Sequence, residues 1–174
     1  DVMLLIRAGR LDEAEAAAGR CYELGEAVGE VDTLGYLTAQ MVGIRWLQDR
    51  DDEILDMAEE VATSPTLIQA EFSLRSSAAA ILARAGRRRQ ARAALDRLVA
   101  GGIDRLPSSS TWLIGMLGIV EVARWLEDAD VAREAYGLLL PYADLPIVAS
   151  LAVLCAGSTE RALGIAAAAF GDLD

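Results

Sequence analysis

Apolar residues recur along the chain at intervals of three and four, the spacing that places side chains on one face of an α-helix. Alanine and leucine dominate these positions, and β-branched residues are sparse. The acids at 51–53, the Ser64-Pro65 pair and residues 107–110 are each typical of a helix N-terminus. The pattern therefore predicts an all-α protein with short connections between its helices.

Five similar short segments divide the chain, and they begin at Gly9, Asp49, Gly86, Glu127 and Gly171. Their first residues are separated by 40, 37, 41 and 44 positions. Each segment has the composition of a tight turn, preceded by an apolar segment and followed by an amphipathic one. This interval predicts four helical hairpins and the first helix of a fifth in a single domain, with approximate units at 1–30, 31–64, 65–105, 106–144 and 145–174.

Alignment of these turns places apolar or aromatic residues in three equivalent columns of the second helices. The columns are Ala14, Ile54, Ala91 and Ala132; Ala18, Ala58, Leu95 and Tyr136; and Cys21, Val61, Leu98 and Leu139. Steps of four and three define one helix face, and a single hairpin has no partner for that face unless its neighbours stack against it. We therefore predict an α-solenoid of about four and a half hairpins, with nine helices, no β-sheet, and Cys21 and Cys155 packed in the core.

The composition excludes most common catalytic sites. The 174 residues contain no histidine, which removes Ser-His and Cys-His pairs and the common zinc sites. The six residues 51–56 are similar to the aspartate-rich magnesium motif of all-α prenyl-diphosphate enzymes, but a second acidic motif is missing and acids at a helix start explain them. We accordingly predict no catalytic residue, no cofactor and no metal; a small all-α enzyme is an alternative.

The charge and the longest apolar stretches limit the partners. The chain has 27 acids, 16 arginines and no lysine, and its net charge of -11 disfavours nucleic acid as a partner. A nucleic-acid-binding repeat protein is therefore a disfavoured alternative. The apolar stretch 112–126 is interrupted by Glu121 and Arg124, and the stretch 145–170 by Glu160 and Arg161. Neither reaches the ~20 uninterrupted apolar residues of a membrane span, so both are predicted to be buried helices.

Positive charge is concentrated at 75–105, which contain eight arginines and two acids. This segment would bind an acidic partner or pair with acidic neighbouring repeats; a phosphate patch is the alternative. Tryptophans in the first helices would line a groove that captures a peptide or a small effector, or would pack between hairpins. The predicted partner-binding residues are Arg75, Arg84, Arg87, Arg88, Arg89, Arg92, Trp46 and Trp112.

The columns resemble the tetratricopeptide repeat, whose second helix opens with a Gly-x-x-x-x-Ala turn like Gly9 to Ala14 and Gly86 to Ala91. The Leu163-Gly164 pair is similar to the Leu-Gly pair in the first helix of that repeat. Because the spacing here exceeds the ~34 residues of that family, the units are tetratricopeptide-like with longer helices or connections.

A narrower resemblance is to the helical-repeat region of large bacterial signal-transduction ATPases, including MalT-like and LuxR-type regulators and cyclase-linked proteins common in actinobacteria. It is carried by residues 132–144, 154–158 and 170–174, and by 41–56, 84–98 and 106–113. The resemblance implies a cytoplasmic, non-catalytic scaffold or sensor region, with the ATPase and output domains elsewhere in a longer chain. Its expected partners are those domains, another protein or a small effector.

The chain begins at Asp1 without an initiator Met and stops inside the fifth turn, so we expect it to be part of a longer protein. The last predicted helix, near 158–170, would then have a neighbour on one side only. Its apolar side chains, including Leu163, Ile165 and Phe170, would form an exposed strip that supports self-association.

Overall fold

The structure is a computed structural model that describes residues 2–63, 72–150 and 152–172. Within those ranges the chain forms nine α-helices and one pair of β-strands, so the protein is mostly helical, as the apolar pattern predicts. The predicted helix start at Ser64-Pro65 lies outside the described residues. The elements are α1 (Val2–Arg7), α2 (Leu11–Val28), α3 (Thr33–Leu47), α4 (Leu55–Thr63), α5 (Phe72–Arg84), α6 (Arg88–Val99), α7 (Trp112–Leu126), α8 (Ala129–Leu139), β1 (Pro146–Ala149), β2 (Leu154–Ser158) and α9 (Thr159–Phe170).

The five predicted turns share one backbone geometry. Their first residues all adopt the left-handed conformation, with φ of 70°, 55°, 74°, 60° and 82° at Gly9, Asp49, Gly86, Glu127 and Gly171. In each turn the next residue's N–H donates back to a carbonyl five residues earlier in the preceding helix, as from Asp128 to Ala123 at 2.9 Å. The turns are therefore structurally equivalent although two of them lack the glycine that this conformation favours.

Seven of the eight residues in the first two columns are buried, and Tyr136 is half-buried. Ala14, Ala91 and Ala132 are fully buried, and Ala58 is 2% exposed. The third column is buried at Leu98 and Leu139 and half-buried at Val61, but the prediction that Cys21 packs in the core is wrong because this residue is exposed. Cys21 is exposed because α1, with six residues, covers only the beginning of the 18-residue α2.

The larger of two hydrophobic clusters is centred on α5 and α7. These helices approach closely because α7 has glycines at the contact: a methyl group on Gly118 would lie 2.7 Å from the backbone of Ser76, and one on Gly115 would overlap the ring of Phe72. The smaller cluster joins α1, α2 and α3 through Ile6 and Ile44, among others. The core is therefore divided into a central part and an N-terminal part.

A β-hairpin at 146–158 connects the two clusters, and the prediction of no β-sheet is wrong here. β1 and β2 pair antiparallel, with Val148 opposite Cys155. The apolar run is not a helix because β-branched residues are concentrated at 147–148 and Pro146 occupies the first strand position. Ile147 is buried in the larger cluster, whereas Leu154 packs in the smaller one. The β-hairpin thereby brings the C-terminal part of the chain against α1 and α3.

The last helix, α9, packs against α7 and α8. Leu163 is buried, Ile165 and Phe170 are half-buried, and the Phe170 ring meets Tyr136 edge-on at 5.6 Å between centroids. The expected apolar strip is thus partly covered within the chain, and self-association through it stays a prediction. Among the helices in the described ranges, none combines the length and the apolar character that crossing a membrane requires.

Candidate functional site

A cavity of about 520 Å³ lies between the first helices α1, α3, α5 and α7 and the β-hairpin. It is bounded on one side by α5 and α7, which approach closely at the glycines of α7, and on another by β2, which inserts beside α3. Gly43 permits that insertion, since a methyl group there would lie 2.5 Å from a Leu154 methyl carbon. Its volume falls within the roughly 300–1,000 Å³ that is typical of small-molecule sites.

The cavity wall is mainly apolar. Its side chains come from α1, α3, α7 and β2, and Trp46 supplies the largest of them. The polar groups on the wall are two guanidinium groups, two hydroxyl groups and a thiol, and no carboxylate lines the cavity in the described part of the chain. The apolar wall residues are Ile6, Val42, Gly43, Trp46, Leu47, Ile114, Leu117, Gly118, Pro146, Leu154, Ala156 and Gly157, and the polar ones are Arg7, Ser77, Cys155, Ser158 and Arg161.

Arg161 is positioned by the start of α9 and by a buried acid on α7. The Ser158 hydroxyl caps the helix by accepting from the Arg161 N–H at 3.2 Å. One guanidinium nitrogen of Arg161 lies 3.3 Å from a carboxylate oxygen of Glu121, whose side chain is 3% exposed. Because a guanidinium has five N–H donors and this contact uses one, Arg161 retains donors for a second anion.

Glu121 also contacts Arg124, with 3.6 Å between the nearest nitrogen and oxygen atoms. A buried carboxylate requires such partners, since an unpaired one is strongly destabilising. The three side chains together carry a net charge of +1. Arg7, at the end of α1, is exposed and makes no ion pair or hydrogen bond through its side chain among the described residues.

The guanidinium group of Arg84 packs over the face of the Trp46 ring, with its central carbon 4.6 Å from the ring centroid. The same guanidinium group contacts Asp49 at 2.7 Å and Asp51 at 2.8 Å. Burial raises the pKa of Asp51, and the charge of Arg84 opposes that shift without cancelling it. Two of the predicted partner-binding residues, Trp46 and Arg84, are thus brought together, and of these Trp46 lines the cavity.

The remaining predicted arginines lie apart from the cavity, on α5, α6 and the turn between them. Arg88 donates to the backbone carbonyl of Trp125 at 2.7 Å, Arg92 forms an ion pair with Asp128, and Arg87 lies 3.8 Å from Glu59. Trp125 lies on α7, Glu59 on α4, and Asp128 directly before α8. Arg75 is half-buried and Arg89 is exposed. Docking of an acidic partner on this arginine-rich segment stays a prediction.

Asp128 connects the start of α8 to α6. Its side chain accepts from the Val131 N–H at 3.1 Å and so caps α8, while it also binds Arg92 of α6. Burial acts to raise the pKa of Asp128, but the hydrogen bonds from Arg92 and Val131 outweigh it and hold the pKa below its ordinary value. The carboxylate therefore stabilises both a helix start and the contact between two helices.

Trp112 stands at the beginning of α7 and lies outside the cavity wall. Its ring packs against Tyr142, with 5.2 Å between centroids and an interplanar angle of 53°. Two of the four acidic residues of 51–56 are likewise engaged elsewhere, since Asp51 binds Arg84 and Glu53 binds Arg45 at 2.7 Å. Within the described ranges, no group of three or more side chains is arranged to hold a metal ion.

Sequence analysis did not select Arg7, Arg161 or Glu121 as functional residues. A signal was available for two of them, because Glu121 and Arg161 interrupt the longest apolar stretches of the chain. A buried carboxylate needs a cationic partner, so Glu121 indicated an arginine close to it, whereas the Arg161 side chain is itself 51% exposed. Arg7 gave no comparable signal, since its place beside the cavity depends on the β-hairpin that brings β2 to α1.

The arrangement can exclude water from an apolar molecule and place guanidinium groups beside it. Its occupant would touch five helices and the β-hairpin at once. Comparison of this chain with protein-family models, with curated proteins and with solved structures finds no match in any of the three.

Proposed function

We propose that this chain is a tetratricopeptide-like α-solenoid and the interaction scaffold or sensor region of a cytoplasmic, multidomain ATP-dependent transcriptional regulator. In this proposal it recognises its ligand without converting it. The equivalence of the five turns supports the repeat architecture, because one left-handed residue and one hydrogen-bonding pattern recur at each predicted position. The regulator assignment rests on the resemblance of the repeats described above.

The observation that carries a sensor role is the cavity between the first helices. An occupant contacts α1, α3, α5, α7 and β2 together, so its binding favours the arrangement in which the β-hairpin lies against the N-terminal helices. A ligand shifts a conformational equilibrium by its differential affinity for the two states. Occupation of the cavity would therefore be transmitted to the surfaces that hold neighbouring domains. The same region joined to a nucleotide cyclase would act in the same way.

A cavity-filling variant tests this proposal. Ala156 lines the cavity, so Ala156→Leu should reduce its free volume, and Ser77→Leu does the same from α5. Ala85→Leu, at an exposed residue directly after α5, is the matched control for Ala156→Leu with the same added side chain. All three are first checked for an unchanged helical circular dichroism spectrum.

The proteins are then screened against a library of small metabolites by thermal shift and native mass spectrometry. We expect at least one compound to raise the melting temperature of the wild type and of Ala85→Leu, to fail with the two cavity-filling variants, and to be recovered with unchanged mass. Recovery of a chemically altered compound would favour the enzyme alternative. Compounds that bind all four proteins equally would contradict the assignment of the cavity.

A further inference from the structure

We infer that the cavity binds a small amphipathic anion, a molecule with an apolar body and one carboxylate group that pairs with Arg7 and Arg161. The inference rests on the proposed function for the cavity's role as a binding site, and it adds the chemical class of the ligand. It derives from the charges on the wall and from the partners of those charges.

The charge of the wall is opposite to that of the chain. The protein has 27 acids and 16 arginines, yet the described wall residues include two arginines and no acid. A neutral ligand would leave these two charges without a counter-ion, and a cation would be repelled by them. A carboxylate, by contrast, matches the planar fork of a guanidinium group with two parallel hydrogen bonds.

The pairing of these arginines leaves positive charge at the cavity. Glu121 is shared between Arg161 and Arg124, so one carboxylate faces two guanidinium groups. Arg7 adds a charge that no described acid neutralises. Glu121 acts here as a positioning residue, because its contact with Arg161 orients the guanidinium group at the cavity. A bound carboxylate would supply the missing negative charge.

The rest of the wall selects an apolar body. Val42 and Trp46 from α3, Ile114 and Leu117 from α7, and Leu154 from β2 offer no charged group to a ligand. The two charges come from Arg7 of α1 and Arg161 of α9, whereas most of the apolar surface comes from α3, α7 and β2. A ligand that uses both must itself have a charged group and an apolar body, which excludes sugars and inorganic phosphate as good occupants.

Two probes with the same body separate the contribution of charge from that of apolar contact: 1-naphthaleneacetate and its neutral amide, 1-naphthaleneacetamide. Binding is measured by isothermal titration calorimetry at low salt. We expect the acid to bind at least about tenfold more tightly than the amide. Arg7→Gln and Arg161→Gln should each weaken the acid and leave the amide unchanged, and Arg89→Gln, at an exposed arginine outside the cavity, is the matched control.

The two cysteines report where the probes bind. Cys155 lies on the cavity wall, whereas Cys21 is exposed on α2 and outside that wall. Alkylation by iodoacetamide, followed by peptide mass spectrometry, should be slowed by the bound acid at Cys155 and unchanged at Cys21. Cys21 serves as the internal reference, because the ratio of the two alkylation rates does not depend on the reagent concentration.

The outcomes are distinguishable. Equal binding of acid and amide with protection of Cys155 would overturn the anion inference and leave the cavity a binding site. Failure of both probes to bind would also overturn the inference for this ligand class, while the metabolite screen with Ala156→Leu decides the proposed function independently. A preference for the acid that survives in both Arg7→Gln and Arg161→Gln would place the anion elsewhere and refute the assignment.

Discussion

Replacing Glu127 by glycine should stabilise the protein. Glu127 begins the turn between α7 and α8 with φ of 60°, is exposed, and makes no side-chain contact among the described residues. The left-handed conformation costs an L-residue about 1–2 kcal/mol. Glycine removes that cost but gives the unfolded chain about 0.4–1 kcal/mol of additional entropy. The difference predicts a net gain of about 0.5–1 kcal/mol.

The equivalent turn at Gly86 supplies the reverse experiment. A methyl group on Gly86 would meet no atom within 4 Å, so Gly86→Ala introduces backbone strain at φ of 74° without a steric clash. We expect it to destabilise the protein by about 1 kcal/mol, since alanine in the left-handed region is strained. Glu127→Gln controls for the loss of a negative charge, because it retains the strained conformation.

Urea unfolding followed by helical circular dichroism measures these differences, provided that the slope of the transition is unchanged. The urea concentration at the unfolding midpoint should be higher for Glu127→Gly than for wild type, and lower for Gly86→Ala. If Glu127→Gly were no more stable than Glu127→Gln, or if Gly86→Ala were neutral, the two turns would not share the geometry on which the repeat alignment depends.

Three further predictions concern packing and pH. Ala58→Leu should overpack a site that is 2% exposed and cost about 1–3 kcal/mol in thermal or urea unfolding; a neutral change would mean that the helix register is wrong. Asp128→Asn keeps the helix cap but removes the charge that pairs with Arg92, and it should cost about 0.5–1 kcal/mol at pH 7. Because the folded pKa of Asp128 lies below the ordinary 3.8, its contribution to the free energy of unfolding is complete above that value and is lost as the pH falls through the folded pKa. The difference in stability between wild type and Asp128→Asn should therefore shrink when unfolding is measured at decreasing pH. Gly43→Ala should push Leu154 away and speed hydrogen exchange in β2, whereas Gly35→Ala, where a methyl group meets nothing within 4 Å, should leave β2 protected; equal exchange in both variants would contradict the close packing.

The helical part of the fold was predictable because its signals are local. A left-handed turn followed by an amphipathic segment is specified within about ten residues, and at Gly9 and Gly86 it begins with the same Gly-Arg pair and has alanine five residues after the glycine. The burial of Ala14 and Ala91 follows from their place after the turn. Periodicity does not report how far a neighbouring helix extends, and this is why it failed at Cys21.

The β-hairpin and the cavity could not be predicted in the same way. Residues 145–157 are apolar throughout, and a buried strand and a buried helix look alike in such a run. Trp46 was identified as a candidate from its residue type alone. Arg7 and Arg161 belong to the first and last units, and their common position depends on a long-range contact that no local pattern encodes.

The contact of β2 with α1 also affects how the molecule unfolds. In an ordinary array of repeats each unit touches its neighbours alone, and the ends open first. Here Leu154 packs beside Ile6, so the N-terminal helix is covered by a segment near the other end of the chain. Detachment of the β-hairpin would uncover α1, and loss of α1 would uncover the β-hairpin. Fraying from either end is therefore coupled to the other, and the described units should unfold in a single cooperative transition.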